Sequence, residues 1–344
     1  MKCDRRNRHF NSAVAHCLYA VASVVVVAGC RRQAPSDFKV ALLTPGPISD
    51  AGWNAGAYEG LLRIRDSLGA SVSQVQTRTP AEFEEAFRDY ARRGYRLVFG
   101  HGFEFQDAAA RVGADFPNTI FITTSGSTVR PNVSPMVFRL EEGTYLAGML
   151  AGGLTKSGRI GFIGGIELPP VEGTFRGFQG GARAVRPSVD VLHAYIGNFD
   201  DVAAAKENAL AQIRRGADVL IHNADAASFG MFQAVRESPG VLALGSNRDQ
   251  NGVAPDVIVA SATLDVPHAL LLVARMVKEG RFRPGVMFFG IRDGVVDLAY
   301  NPSLADRVPA PLRRRIAAAR DSIIAGTLKV PAVEFVRDSV AAVR

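Results

Sequence analysis

The amino-acid sequence predicts an α/β protein with two Rossmann-like parallel-sheet domains and a central cleft between them. Three observations indicate this class. Short β-rich runs alternate with helical patterns from Phe38 onward, as in βαβ units. The alternation restarts after the glycine-rich stretch 143–158. The 344 residues, 47% of them hydrophobic, are enough to build a core in each of two domains.

The first half of the chain shows strand and helix patterns in turn. A β-rich run ends at Thr44, and apolar side chains then recur at helical spacing between Gly52 and Leu68. Pro80 and Gly94 bracket the next helix, at its first turn and at its end. The further strands predicted in this half are SVSQVQT, YRLVFG, TIFITT and PMVFRL.

The second half repeats this alternation. Its predicted strands are RIGFIGG, VDVLHAY, DVLIHN and VLALGS, followed by DVIVASATL, GVMFFGI and VDLAY. A helix that begins near Pro267 separates DVIVASATL from GVMFFGI. The sequence therefore predicts an N-terminal lobe of residues 38–143 plus 253–285 and a C-terminal lobe of residues 144–252 plus 286–344.

The first 29 residues have the pattern of a bacterial export signal. A basic start precedes an apolar run at 17–29, which is shorter than the roughly 20 residues needed to cross a bilayer. The run ends in the lipobox-like VAGC, so we expect residues 1–29 to be removed and Cys30 to be lipidated. Residues 30–37 would then be a tether to the membrane. The alternative is a signal peptide that happens to contain a cysteine.

Charge and thiol content follow from that processing. The leader accounts for +3 of the formal +7, which leaves about +4 in the mature chain, too little and too dispersed to indicate nucleic-acid binding. Cys3 and Cys17 leave with the leader, and Cys30 carries lipid. No thiol is then expected for a disulfide, a metal site or a nucleophile.

Catalytic motifs are missing from the sequence. GFIGG lacks the spacing of a dinucleotide-binding loop, and the chain contains no P-loop, HExxH or GxSxG pattern. The histidines that remain after processing have no paired metal-ligand spacing, although His101 could face a cleft. We therefore predict no enzyme activity, no metal site and no cofactor.

Polar and aromatic side chains follow the ends of five predicted strands. Because ligands bind outside the carboxyl ends of parallel strands, we expect these side chains to converge on the cleft. Ordinary turn chemistry is the alternative for any single loop. The residues are Asp50 and Asn54, His101 and Phe103, Thr124 and Ser125, Asn223 and Asp225, and Asn247 and Asp249.

Several stretches carry a family resemblance across nearly the whole mature chain. They are SDAGWNAGAYEGL, LVFGHGFEFQDAAARVGADFPNTIFI, FRLEEGTYLAGMLAG, IGFIGGIELPPVEGTFRGFQGGARAVRP, GADVLIH and LGSNRDQ. Together they resemble the basic-membrane-protein lipoproteins, substrate-binding subunits of ABC transporters, many of which bind purine nucleosides. The resemblance implies a type I periplasmic-binding-protein fold with three crossovers, a permease and an ATPase as partners, and a location in the cell envelope.

The resemblance also implies that a flat base is sandwiched between aromatic side chains. Trp53 or Phe103 would lie on one face and Phe175 on the other, with Phe178 as the nearby competitor. Asp50 and Asn54 would meet the polar edge of the ligand. The full set of expected ligand-binding residues is Asp50, Trp53, Asn54, Phe103, Phe175, Asn223, Asp225 and Asn247.

Three departures from the family pattern bear on the ligand. Asn247 stands where the family usually has an aspartate, and Leu264 where it usually has a lysine; both positions are associated with sugar hydroxyls. The stretch HNADAASFG, which contains Asp225, stands where the family commonly has a glycine-rich loop. We therefore predict that the protein binds a purine base in preference to a nucleoside. We separately expect it to be a monomer. A ligand-sensing lipoprotein without transport, or a binder of another flat or sugar-like solute, remains the alternative.

Overall fold

The computed structural model of this chain describes residues 38–50 and 52–334. The predicted leader, the lipidation site Cys30 and the whole predicted tether lie outside the described residues. Across the part that is described, no helix has the length and apolar character required to span a membrane.

Two six-stranded sheets form the framework, with elements numbered in chain order. The first sheet contains β1 (Lys39–Thr44), β2 (Ser71–Gln76), β3 (Leu97–Gly100), β4 (Ile120–Thr124), β5 (Val133–Phe138) and β11 (Met287–Phe289). The second sheet contains β6 (Arg159–Gly164), β7 (Asp190–Tyr195), β8 (Val219–Asn223), β9 (Leu242–Asn247), β10 (Ile258–Leu264) and β12 (Val296–Tyr300). The strand orders are β11-β5-β4-β3-β1-β2 and β12-β10-β9-β8-β6-β7. Every described pairing is parallel except that of β10 with β12.

Helices connect the strands as the alternation predicts. They are α1 (Trp53–Leu68), α2 (Pro80–Arg92), α3 (Gln106–Gly113), α4 (Leu140–Leu154), α5 (Pro169–Val185), α6 (Val202–Arg214), α7 (Ser228–Arg236), α8 (Val266–Lys278) and α9 (Ala310–Ala325). Local chemistry explains several of their ends. Thr79 caps α2 by accepting a hydrogen bond from the backbone N of Glu82, and Pro80 occupies the first turn.

The chain crosses between the sheets three times, but two predicted lobe boundaries are wrong. Strand β10 pairs with β9 in the second sheet, although residues 253–285 were assigned to the N-terminal lobe. Strand β11 pairs with β5 in the first sheet, although residues 286–344 were assigned to the C-terminal lobe. Both errors have one cause: a β-rich run carries no local signal for which sheet it will join.

Helices α4 and α5 pack closely in the second half. A Cβ at Gly148 would collide with the backbone carbonyl of Phe178, and one at Gly181 would collide with that of Tyr145. Glycine at these positions therefore lets the two helix backbones approach each other. The contact fixes α5 beside the carboxyl ends of the second sheet, where its residue Thr174 meets the cleft. We call the first sheet with α1 and α8 the N-terminal lobe and the second sheet with α4 and α5 the C-terminal lobe.

A candidate ligand-binding cleft

One cleft lies where the carboxyl ends of the strands of both sheets meet. It measures ≈ 620 Å³ including the part open to solvent. Its apolar lining is Pro45, Trp53, Phe103, Phe138, Leu140, Leu168, Pro170, Val171, Phe199 and Leu264, with Gly102. Its polar lining is Glu104, Ser125, Thr174, Asn223, Asp225 and Asn247. Mostly apolar walls with a few polar groups are typical of a small-molecule site.

The structure brings five of the eight predicted site residues into the lining, and three lie elsewhere. Trp53, Phe103, Asn223, Asp225 and Asn247 line the cleft. The side chains of Asp50, Asn54 and Phe175 are buried and are not part of the lining.

Trp53 forms a rigid part of the wall. It is the first residue of α1, and its indole stacks on the imidazole of His101 with ring centroids 4.0 Å apart and an interplanar angle of 20°. Its Nε1 donates to the carbonyl oxygen of His101 over 3.3 Å. The indole edge also meets the ring of Phe138 at 5.8 Å. With one face covered by His101, the opposite face is the one available to a ligand.

His101 supports Trp53 from behind and does not line the cleft. Its Nε2 lies 3.0 Å from the carbonyl oxygen of Trp53, which can only accept, so Nε2 carries the proton. Its Nδ1 then accepts from Thr124 Oγ1 over 3.2 Å. Burial lowers the pKa of His101 to about 3. His101 is therefore a neutral positioning residue.

Asp50 fixes the start of α1. Its carboxylate accepts hydrogen bonds from the backbone N of Gly52, Asn54 and Ala55 and from Asn54 Nδ2, at 2.8–3.0 Å. These donors occupy both carboxylate oxygens, and the helix N-terminus stabilises the negative charge. Asn54 is held by Asp50, while its Oδ1 is buried without a hydrogen-bond partner in the described chain.

Four polar side chains of the C-terminal lobe form a hydrogen-bonded row along the cleft. Thr174 Oγ1 accepts from Asn223 Nδ2 over 3.1 Å. Asn247 Nδ2 donates to Asn223 Oδ1 over 3.3 Å and to Asp225 Oδ1 over 3.2 Å. The row therefore presents preorganised polar atoms along one side of an otherwise apolar slot.

Backbone strain is concentrated at the same place. Among the described residues, Ser125, Asp225 and Asn247 are the non-glycine residues with positive φ, at 63°, 43° and 67°. All three line the cleft. Each such conformation costs about 1–3 kcal/mol, and strain of this kind is typical of functional sites. Their side chains are thereby aimed by the backbone as well as by hydrogen bonds.

The cleft has an acidic character. Burial raises the pKa of Asp225 well above its ordinary value, and the nearby Asp50 and Glu104 carboxylates raise it further. Burial likewise raises the pKa of Glu104. A Cβ at Gly102 would lie 2.8 Å from Glu104 Oε1, so glycine leaves room for that carboxylate against its own loop.

The aromatic residues of the C-terminal lobe differ from the prediction. Phe175 packs on His193 with centroids 4.4 Å apart and against Phe162, and Phe178 is fully buried. Both belong to the core beneath the cleft. Phe199 lines the cleft instead, and its carbonyl oxygen accepts from Ala227 N over 3.0 Å.

Two lining residues were missed from the sequence although a usable signal existed. Phe199 follows the end of β7, the same class of position that identified the other loops. Glu104 follows Phe103 directly in the loop after β3. Leu264, whose identity was singled out from the sequence, does line the cleft, at the end of β10.

Comparison with known proteins identifies the family. The model of the Bmp family, described as ABC transporter substrate-binding protein PnrA-like, matches residues 38–334. This chain belongs to the Bmp family. It is 29% identical over 343 residues to the "ABC transporter nucleoside-binding protein BmpA" of Lactococcus lactis subsp. cremoris, covering 91% of this chain and 96% of that protein.

Solved structures share the fold. A solute-binding protein of an ABC transporter system from Aeropyrum pernix K1 superposes with a TM-score of 0.80 at 22% identity, covering 87% of this chain and 94% of that one. A protein from Bacillus halodurans, titled a transcriptional activator of the comK gene, superposes with a TM-score of 0.73 at 25% identity, covering 86% and 99%.

Family membership settles the general function. The Bmp-family chain is a substrate-binding protein of an ABC transporter, so its partners are a small-molecule ligand and the permease and ATPase subunits. It is not an enzyme, as the missing catalytic motifs predicted, because the family binds its substrates. Within the described residues, no group of three or more His, Cys, Asp or Glu side chains is placed to hold a metal ion.

Proposed function

We propose that this Bmp-family protein captures a purine base, in preference to a nucleoside, and delivers it to an ABC importer. The observation that carries the proposal is the composition of the cleft. Trp53 and Phe103 of one lobe and Phe199 of the other surround the polar row that ends at Asp225. Aromatic faces bind flat bases by stacking, at roughly 1–3 kcal/mol for each base in nucleic-acid binders. The similarity to a nucleoside-binding relative supports a purine-type ligand.

The preference for the base rests on Leu264 and Asn247. Leu264 offers no hydrogen bond to a ribose hydroxyl, and the amide nitrogen of Asn247 already donates to Asn223 and Asp225. A ribose placed there would lose its hydrogen bonds to water without replacing them, which is unfavourable. The family resemblance implies charged groups associated with sugar binding at these same two positions, and this chain has neither of them.

The three predicted residues outside the lining act indirectly in this proposal. Asp50 and Asn54 hold the first turn of α1, which carries Trp53. Phe175 packs beneath the cleft against His193. Each therefore supports a wall of the cleft, and none of them needs to touch the ligand.

The same proposal covers where the protein is located and how it meets the permease. Lipidation at Cys30 would hold a monomer at the membrane, with the cleft on the periplasmic or extracellular side. The two lobes would close on the ligand, and the closed form would be presented to the permease.

Calorimetric titration of the purified protein tests the ligand. We expect adenine, guanine or hypoxanthine to bind at least tenfold more tightly than the corresponding nucleoside. Native mass spectrometry of the protein as purified should show a co-purifying mass of a free base. Tighter binding of nucleosides would overturn the base preference, and binding of a sugar but no purine would overturn the proposal itself.

Ligand sensing without transport is a second candidate. The similarity to the Bacillus halodurans protein favours it, because that protein is titled a transcriptional activator. Uptake of radiolabelled base by cells with and without this chain separates the two functions. Loss of uptake in its absence supports transport, and unchanged uptake supports sensing.

A further inference from the structure

The titratable side chains that line the cleft are acidic. Glu104 and Asp225 line it, and no lysine, arginine or histidine does so in the parts of the chain that are described. Two arginines adjoin lining residues in the sequence, but both have partners elsewhere. Arg248 pairs with Glu59 at 3.0 Å. Arg139 lies over the ring of Phe288 and 3.8 Å from Glu142.

Asp225 in particular has unused hydrogen-bonding capacity. The residue is 7% exposed, and its Oδ1 accepts from Asn247 Nδ2. Its Oδ2 has no donor among the described residues, and the neighbouring acidic groups, Asp50 and Glu104, repel negative charge at this position. A largely buried carboxyl group that has one oxygen without a donor and no counter-charge is costly. A ligand that supplies N–H groups removes that cost.

We propose that the cleft selects flat heterocycles that present adjacent N–H donors on one edge and carry no negative charge, and that it rejects anionic ones. This inference rests on the proposed function, because it assumes that a flat heterocycle occupies the cleft. Carboxyl oxygens accept hydrogen bonds from N–H donors. An anion would instead face the carboxyl oxygens of Glu104 and Asp225 with no cationic side chain in the lining to balance it, in a poorly solvated site.

Guanine and xanthine are the matched pair for this test. They differ at C2, where guanine carries an amino group and xanthine an oxygen, and xanthine is largely an anion at mildly alkaline pH. Titrated at such a pH, guanine should bind at least tenfold more tightly than xanthine. Urate, which is an anion at neutral pH, should bind as weakly as xanthine.

Charge-neutral variants connect this selectivity to the two side chains. Glu104→Gln and Asp225→Asn should each reduce the ratio of guanine affinity to xanthine affinity at least threefold. Glu207→Gln is the control, because Glu207 is an exposed acid on α6 and does not line the cleft. Melting curves check that each variant folds. If a variant does not fold, the affinities of the wild-type protein for guanine, xanthine and urate still test the proposal.

The outcomes separate this inference from the function on which it rests. Equal binding of guanine and xanthine, or an unchanged ratio in both variants, would overturn the donor-edge selectivity and leave purine binding intact. Binding of none of the purines would overturn the proposed function and the selectivity together.

Discussion

The imidazole of His101 lies parallel to the indole of Trp53, 4.0 Å away, and each residue bonds to the backbone carbonyl of the other. The pair joins the start of α1 to the end of β3. Because the imidazole is buried and neutral, the indole is fixed before any ligand arrives. A preorganised aromatic surface loses little conformational entropy when a ligand binds.

Trp53 should therefore contribute directly to affinity. We expect Trp53→Ala to weaken binding of the preferred base about fivefold to 150-fold, from the ~1–3 kcal/mol of one stacking contact. Trp53→Phe should retain part of the stacking contribution to affinity. Trp53 is the single tryptophan of the chain, so ligand should change the wild-type emission. Binding of the alanine variant within twofold of wild type would argue for a purely structural tryptophan.

The neutrality of His101 predicts a pH dependence of stability. Its pKa is about 3 in the folded protein against 6.5 ordinarily, so the unfolded chain takes up the proton first as pH falls. The stability contribution is complete above the unfolded pKa of 6.5 and is lost as pH falls toward 3. Urea unfolding of wild type and His101→Gln isolates this group, because glutamine does not titrate.

The stability advantage of wild type over His101→Gln should shrink below the unfolded pKa. The limit is about 1.4 kcal/mol for each pH unit. Above that pKa the difference between the two proteins should be constant. A difference that stays constant through the acidic range as well would mean that His101 is protonated freely in the fold.

We expect Asp225 to lower the stability of the fold and to strengthen ligand binding. Because its pKa is raised, the folded state holds the proton of Asp225 more tightly than the unfolded chain does. The folded state therefore loses stability as pH rises from the ordinary pKa of 3.8 through the pKa in the folded protein. Asp225→Asn removes this cost and suits the positive φ of 43°. We expect a gain of about 1 kcal/mol, or a few degrees in Tm, near neutral pH.

The same Asp225→Asn variant should bind its ligand more weakly, because the carboxyl acceptor is gone. Thermal unfolding at neutral and acidic pH, together with calorimetry, measures both effects. The gain in Tm should diminish in acid, where wild-type Asp225 is protonated in both states. A variant that melts lower at neutral pH would contradict the account.

An ion pair connects the two lobes. Glu59 on α1 accepts from Arg248, which follows β9, over 3.0 Å, and also pairs with Arg63 at 2.8 Å. Both side chains are partly exposed, so the pair is worth about 0.2–1 kcal/mol. Glu59→Gln should weaken ligand binding up to about fivefold, mainly by faster release measured in stopped flow.

A pair within the C-terminal lobe provides the control for this prediction. Arg236 and Asp256 are 2.8 Å apart and are somewhat more exposed than Arg248 and Glu59. Asp256→Asn should leave ligand release unchanged. Equal effects of the two substitutions would mean that the interlobe pair has no role in closure.

Introducing the charged residues that the family resemblance implies at positions 247 and 264 should introduce sugar recognition. Asn247→Asp together with Leu264→Lys should raise the nucleoside-to-base affinity ratio at least tenfold. Leu264 is buried, so the lysine alone should destabilise the protein, and the added aspartate should recover part of that loss. Calorimetry with adenine and adenosine gives the ratio, and a ratio within twofold of wild type would remove these positions from the explanation of ligand choice.

Much of the architecture is predictable from local patterns. The last β-rich run was predicted at 296–300 and is β12, and α2 begins at Pro80 as its capping residues indicate. The rule that ligands bind at the carboxyl ends of parallel strands correctly placed Asn223, Asp225 and Asn247 in the cleft. These features depend on spacing and turn chemistry within a few residues.

The sequence by itself determined the α/β class, the family and the loops that meet at the cleft. Tertiary structure alone decided which sheet β10 and β11 join and whether Phe175 or Phe199 lines the cleft. It also decided that Asp50 caps α1. The reason is physical: strand pairing and burial depend on groups far apart in the chain, so the same local pattern fits either arrangement until the whole fold packs.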